Sequence, residues 1–264
     1  MKKYVLTTEV KVLGNTVLHR IRAVRDITLA DGRVIYAGDR GGWLEHESNL
    51  DHAGSAWVAG EARVFGSAKV KDSALVEDHA WVVGSAQIYG SARVGGFARV
   101  FGHAWVYDSA EVEEWAKVSG EARVYGHAAI FDAAWIFGSA QVYDRAGVCG
   151  RARVYDDARV DGKMARVFDY ARVYGAARVE GDAWASGRAR VFGRARVDGH
   201  AQVYDRATVK DNARVSGDAY VCCDSVVGGR AVVEDLASVY EDAMVGGDAV
   251  IGGHTKVGHG EVVV

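Results

Sequence analysis

The chain has 264 residues and a formal net charge of −3, from 32 Lys+Arg against 35 Asp+Glu. That balance argues against a globally basic nucleic-acid binder, and no apolar run approaches the roughly 20 residues of a membrane-spanning helix. Proline is absent and glycine numbers 33, a composition that suits uninterrupted strand ladders broken by sharp turns.

Residues 1–50 follow no repeat. Met1-Lys2-Lys3 leads into Tyr-Val-Leu-Thr-Thr-Glu, without the long apolar region of a signal peptide. Glu9 to Leu13 and Thr16 to Ile21 read as two strands around a Gly14-Asn15 turn, a hairpin signal. A second turn, Asp31-Gly32, precedes Val34-Ile35-Tyr36, and Gly41-Gly42-Trp43-Leu44 and a polar stretch to Asn49 follow. The segment is expected to cap what comes next.

From Val58 onward one six-residue unit recurs, Ala-x-Val-x-Gly/Asp-x. Val or Ile occupies every sixth position to Val160, one extra residue intervenes around Gly162-Lys163, and the count resumes from Val167 to Val263. Ala185 alone breaks the Val/Ile rule, and Ser225, Thr255 and Glu261 replace the preceding Ala. A six-residue period is a multiple of the strand period and not of the helical one. Ala and Val therefore point to one side, and Gly or Asp two residues after Val sits where a chain turns sharply. Each hexad is a short strand plus a corner, and it buries its apolar side only by stacking on copies of itself.

Val-Phe-Gly-Ser-Ala at 64–68 and Val-Tyr-Gly-His-Ala at 124–128 resemble the hexapeptide repeats of the left-handed parallel β-helix superfamily. The Gly/Asp falls two residues after the aliphatic here, where the family pattern usually has it one after. The resemblance implies left-handed winding and three hexads per coil, hence about 12 triangular coils. The Ile21–Ile27 stretch, the Gly-Gly-Trp and the Asn-Leu after it resemble the entrance of bacterial and phage proteins of that group, some labelled transferases. The expected fold is all-β: a single left-handed parallel β-helix over residues 51–264, with an N-terminal β-hairpin cap over 1–50.

Residues 18 apart then stack into outward columns. On one face Arg63, Trp81, Arg99, Lys117, Trp135, Arg153, Arg172 and Arg190 run beside Phe65, Phe101, Phe137, Tyr155, Tyr174 and Phe192. This column has no matching acids, and basic plus aromatic is the chemistry of protein contacts and of anionic ligands. Plain stacking along a sheet explains it as well. On the second face Tyr89, Tyr107, Tyr125 and Tyr143 give way to Asp161, Glu180 and Asp198 beside Arg159, Arg178 and Arg196, a set that reads as a charge ladder of mutual pairs.

The residues point away from an enzyme. The superfamily's enzymes use a catalytic or zinc-binding His, and the resemblance brings acyltransferase-like and carbonic-anhydrase-like sites between subunits into view. Here the hexads leave no room for a long loop, and His79, His103 and His127 fall on three different faces. His254 and His259 are a weak metal candidate in the last coil, and no cofactor is expected. Asp72, Asp78, Asp108, Asp132 and Asp144 read as corner residues bonding the backbone. Cys149 and Cys222 lie four coils apart, and adjacent Cys222 and Cys223 read as free thiols of a reducing cytoplasm. The sequence therefore favours a non-catalytic rigid scaffold that presents its ladders to a partner or to itself as a homo-oligomer. The apolar run Val262-Val263-Val264 adds an end-to-end mode to that expectation. Alternatives are an enzyme whose site forms between subunits, and sequestration of an anionic small molecule such as a nucleotide.

Overall fold

In the computed structural model, which describes residues 2–264, every regular element is a strand apart from one short 3-10 turn at Glu47–Asn49. No helix among these residues is long and apolar enough to cross a membrane. The chain divides into two compact units, Met1–Asp132 and Ala133–Val264.

The first unit opens with β1 (Tyr4–Leu13) and β2 (Thr16–Ala23), an antiparallel hairpin through the Gly14-Asn15 turn. The hairpin is longer than its alternating pattern indicated, because β1 begins at Tyr4. β3 (Ile27–Thr28) and β4 (Val34–Ile35) pair across Asp31-Gly32. β5 (Arg40–Leu44) then pairs antiparallel with β2 on one edge and parallel with Arg63–Val64 on the other. It is the strand at which the sheet changes from hairpin to parallel stack. The Gly41-Gly42 pair makes this approach possible. A Cβ on Gly41 would lie 2.5 Å from Ile21 Cγ1, and one on Gly42 would lie 2.7 Å from the Ala62 carbonyl.

The N-terminal segment lies directly over the first turn of the repeat. Tyr4 is fully buried, with its ring 6.4 Å from that of fully buried Trp57 and stacked at 4.5 Å on His52. Its hydroxyl sits 2.7 Å from the Glu47 carbonyl and 2.9 Å from that of Leu50. The buried Asn49 amide donates to the carbonyls of Gly66 and Ala68, both at 2.9 Å. Glu61 accepts from Lys11 at 2.6 Å, Arg20 at 2.8 Å and the Trp43 indole at 3.0 Å. Burial opposes its ionisation, but these three donors outweigh that and hold its carboxyl at about 2.

Each hexad then forms a strand of two or three residues. Strands pair in parallel with the strand three hexads on, as in Trp81↔Arg99 with Val82↔Val100 in the first unit and Arg172↔Arg190 with Val173↔Val191 in the second. Three strands make one turn, so the first unit holds about four turns and the second about seven. Both units are β-solenoids with a solid interior: nearly every inward Ala and Val has no solvent exposure at all. Small Ala next to the corner and Val in mid-strand let three sheets meet without a void.

The corners explain the Gly/Asp rule. The residue two after each Val adopts a left-handed backbone, with φ of 68° at Gly66 and 58° at Asp72. Gly takes this conformation freely, and Asp takes it more readily than most residues. The corner acids do more than tolerate it. Asp72, Asp78 and Asp108 accept the N–H of Gly90, Gly96 and Gly126, each 18 residues on, at 3.0, 3.0 and 3.1 Å. In the second unit Asp169, Asp211, Asp235 and Glu241 do the same at 2.9 to 3.1 Å, and Asp156 accepts from the Gly175 N–H, 19 residues on across the inserted residue, at 3.1 Å. The expected backbone bonding is thus present at Asp72, Asp78 and Asp108, where it links one turn to the next, and it is missing at Asp144, which faces the opened corner at Gly162. The inserted residue sits at a corner of the second unit, after the lengthened strand Arg159–Asp161, where Gly162 opens to φ 129° and Met164 is exposed.

Ala185 lies fully buried between Val167 and Val203, in a slot built for Val. Ala185→Val is expected to be neutral or to stabilise by up to about 1 kcal/mol through added apolar burial. Chemical denaturation of the variant checks this. A loss beyond about 2 kcal/mol would mean that the slot is already full.

Candidate functional site

Face one carries the basic and aromatic columns, and within each unit the structure brings their members into contact. In the first unit the Arg63 guanidinium lies 4.8 Å from the centre of Trp81, and Arg99 lies 5.2 Å from it on the next strand. Phe65 meets Trp81 edge-on at 6.0 Å. The same motif begins one strand earlier, where Lys11 and Arg20 cover Trp43 at 4.4 and 4.3 Å. Phe101 is half-buried and Lys117 exposed on the same face. In the second unit Phe137, Tyr155, Tyr174 and Phe192 form one stack of near-parallel rings, with centroids 4.7, 4.9 and 4.8 Å apart. Trp135 tilts against Phe137 at 4.6 Å, and Arg153 lies 5.9 Å from the Trp135 ring.

Such contacts are worth roughly 0.5–1.5 kcal/mol per aromatic pair and about 0.5–1 kcal/mol per exposed cation–π pair. They order the side chains in register but leave the guanidinium charges unneutralised. The contrast with face two decides how the faces differ. There Arg196 reaches Glu180 at 2.7 Å and Asp198 at 2.8 Å, Arg178 reaches Glu180 at 3.4 Å, and Arg214 reaches Asp198 at 3.0 Å. On face one of the same unit Arg153, Arg172 and Arg190 are exposed, and among the described residues none of them forms an ion pair. The expected pairing on face two holds except at its first rung. Arg159 makes no ion pair with Asp161, whose Oδ1 is buried without a partner. Burial, with Glu180 nearby, raises the Asp161 carboxyl above the usual range.

Face two of the first unit is aromatic. Tyr89, Tyr107 and Tyr125 stack at 4.8 and 4.9 Å, and Arg123 lies 5.2 Å from Trp105. Burial, with Tyr125 and Tyr89 on either side, pushes the Tyr107 phenol up to about 12. A shallow groove of about 470 Å³ lies beside this stack, lined by Lys71, Gln87, Tyr89, His103 and Trp105 among others.

Two groupings have no counterpart in the sequence reading of sites. His79, Phe97 and Trp115 stack at one corner of the first unit, at 4.9 and 4.4 Å. Their shared slot, three residues after Val and 18 apart, was visible in the sequence as a period. In the second unit Cys222, Cys223 and Asp205 come together at another corner. The three cysteines are free thiols, as expected, and burial raises the Cys222 thiol to about 11. The weak histidine candidate fares differently: His259 is engaged with Glu241 at 2.6 Å and edge-on to Tyr240 at 6.0 Å, while His254 is exposed.

The family description "YdcK Beta solenoid repeat" matches residues 201–217. Those residues span close to one turn, with the strands Gln202–Val203, Thr208–Val209 and Arg214–Val215 on the three faces in succession. The match is a similarity of repeat, in line with the solenoid described above. No curated protein matches the chain.

Proposed function

We propose that this chain is a non-catalytic scaffold which binds through face one of its second unit, in the first place to another copy of itself. The observation that supports this reading is the column Arg153, Arg172 and Arg190, exposed and without carboxylate partners, beside the stack from Phe137 to Phe192. Ordered aromatic rings with unpaired arginines are what protein interfaces select, because both bind strongly while losing little freedom. The net charge of −3 gives a second copy acidic surface to offer in return. In this reading residues 1–50 are a cap that covers the first turn, the coils wind left-handed as in the hexapeptide-repeat proteins, and the protein works in the cytoplasm with its thiols reduced.

Light scattering on the full chain at high micromolar concentration is expected to give a multiple of the 28.3 kDa protomer mass. Trp135→Glu, which places a charge beside Phe137, is expected to shift it toward the protomer. A wild-type monomer under those conditions would overturn self-association. The same arginine column suits an anionic small molecule such as a nucleotide, and a monomer whose arginine column titrates with nucleotide would transfer the reading to that class.

A further inference from the structure

We infer that the corner formed by Asp205, Cys222 and Cys223 is a binding site for a thiophilic divalent cation of the zinc class. The Sγ atoms of the two cysteines lie 3.5 Å apart, and a carboxylate oxygen of Asp205 lies within 4.8 Å of both. Two ligands each about 2.3 Å from a tetrahedral zinc are separated by roughly 3.7 Å, so the thiols already stand near ligand spacing. Asp205 is exposed, and rotation of its side chain closes the remaining distance.

The placement follows from the repeat. Cys223 occupies the left-handed corner slot, φ 62°, directly after Asp205 in the same slot one turn earlier, φ 59°. Cys222 and Tyr204 share the neighbouring slot in the same two turns, since Val203 pairs with Val221. A pair of adjacent cysteines at a corner therefore delivers both sulfurs to one point, while the preceding turn supplies the carboxylate.

A second observation points to a ligand. In the second unit Asp156, Asp169, Asp211, Asp235 and Glu241 each give their carboxylate to the N–H of the following corner. Asp144 faces the corner distorted at Gly162 and lacks that bond. Asp205 faces a regular corner, yet its carboxylate forgoes the Cys223 N–H and stands beside the thiols instead. The surroundings hold the sulfurs in place. Ser225, buried where the repeat has Ala, donates to the Cys222 carbonyl at 2.7 Å, and Tyr204 is hydrogen-bonded to the Cys222 thiol. Arg206, the nearest cation in sequence, is occupied by Asp224 at 2.7 Å. Two thiolates and one carboxylate give three protein ligands and leave a fourth position open, the arrangement of a zinc ion accessible to solvent or to a small ligand. On binding, each thiol releases its proton to solvent and both sulfurs become ligands to the metal.

The test uses the full chain, reduced and stripped of metal, with zinc titrated against a chromophoric chelator and stoichiometry read by native mass spectrometry. One zinc per chain is expected. Cobalt in place of zinc is expected to give the sulfur-to-metal charge-transfer absorption of thiolate ligation. Cys223→Ser and Asp205→Asn, both at accessible positions, are expected to weaken binding by about 10-fold or more, and Cys222→Ser together with Cys223→Ser to abolish it. Cys149→Ser and His254→Gln serve as controls and are expected to leave affinity unchanged. Zinc binding that survives the double cysteine variant, or a reduced wild-type chain that takes up no zinc, overturns the assignment.

Discussion

Removal of residues 1–50 is expected to convert the protein into soluble aggregates or precipitate. The segment covers Trp57, which has no solvent exposure, and Tyr4 packs against it with its hydroxyl placed on two backbone carbonyls. It also supplies β5, which occupies the ladder edge of Arg63–Val64, and Asn49, which satisfies the Gly66 and Ala68 carbonyls. Without it the first turn presents an apolar face and an unpaired parallel edge, the two features that drive strand-to-strand association. The check is light scattering of the shortened chain after expression under the same conditions as the full chain. A monodisperse product with an unchanged circular dichroism spectrum would show that the segment is an appendage and the repeat closes its own end.

Gly162→Ala is expected to be strongly destabilising. Gly162 has φ 129°, outside what side-chain-bearing residues adopt, and a Cβ there would sit 2.3 Å from the Gly181 carbonyl oxygen and 2.5 Å from its nitrogen. The atoms in the way are backbone atoms of the next turn, so relief requires one turn to move away from another. The strained conformation alone costs roughly 1–3 kcal/mol, and the clash adds to it, for an expected total of about 3 kcal/mol or more. The denaturation midpoint should fall, and amide exchange should quicken around the insertion. By contrast, Gly32→Ala meets no atom within 4 Å of its Cβ, and its φ of 86° is the main penalty it would face. An unchanged midpoint for Gly162→Ala would mean that the insertion is loosely held.

Much of this architecture was legible before any coordinates, for a physical reason. A six-residue period makes each hexad a strand and a corner with its Val buried, and the three hexads per coil that the resemblance implies then assign each residue to a face and a slot. Face one, the face-two charge ladder and the corner acids all follow from that assignment. What the slots do not fix is side-chain direction. Arg159 and Asp161 occupy the slots of a pair, yet they form no ion pair and the Asp161 Oδ1 is left without a partner, while Arg196 and Arg214 both converge on Asp198. The thiol corner was obscured because adjacent cysteines were read along the chain. Only the stacking of turns shows that Asp205 comes to the same point. The N-terminal segment was legible as a hairpin from its Gly-Asn turn. The reversal at β5 was not, because it depends on how closely Gly41 and Gly42 approach Ile21, Trp57 and Val58.

In the proposed assembly the unpaired arginines of face one form the contact surface and the paired arginines of face two do not. Sedimentation equilibrium of Arg172→Glu beside Arg196→Glu tests it most directly, since both residues are exposed strand arginines of the same unit that differ in having a carboxylate partner. Arg172→Glu is expected to weaken self-association at least about tenfold, with Arg196→Glu close to wild type, as expected for loss of an interface arginine. Equal association for both variants and wild type, or a larger loss with Arg196→Glu, would mean that face one is not the contact surface.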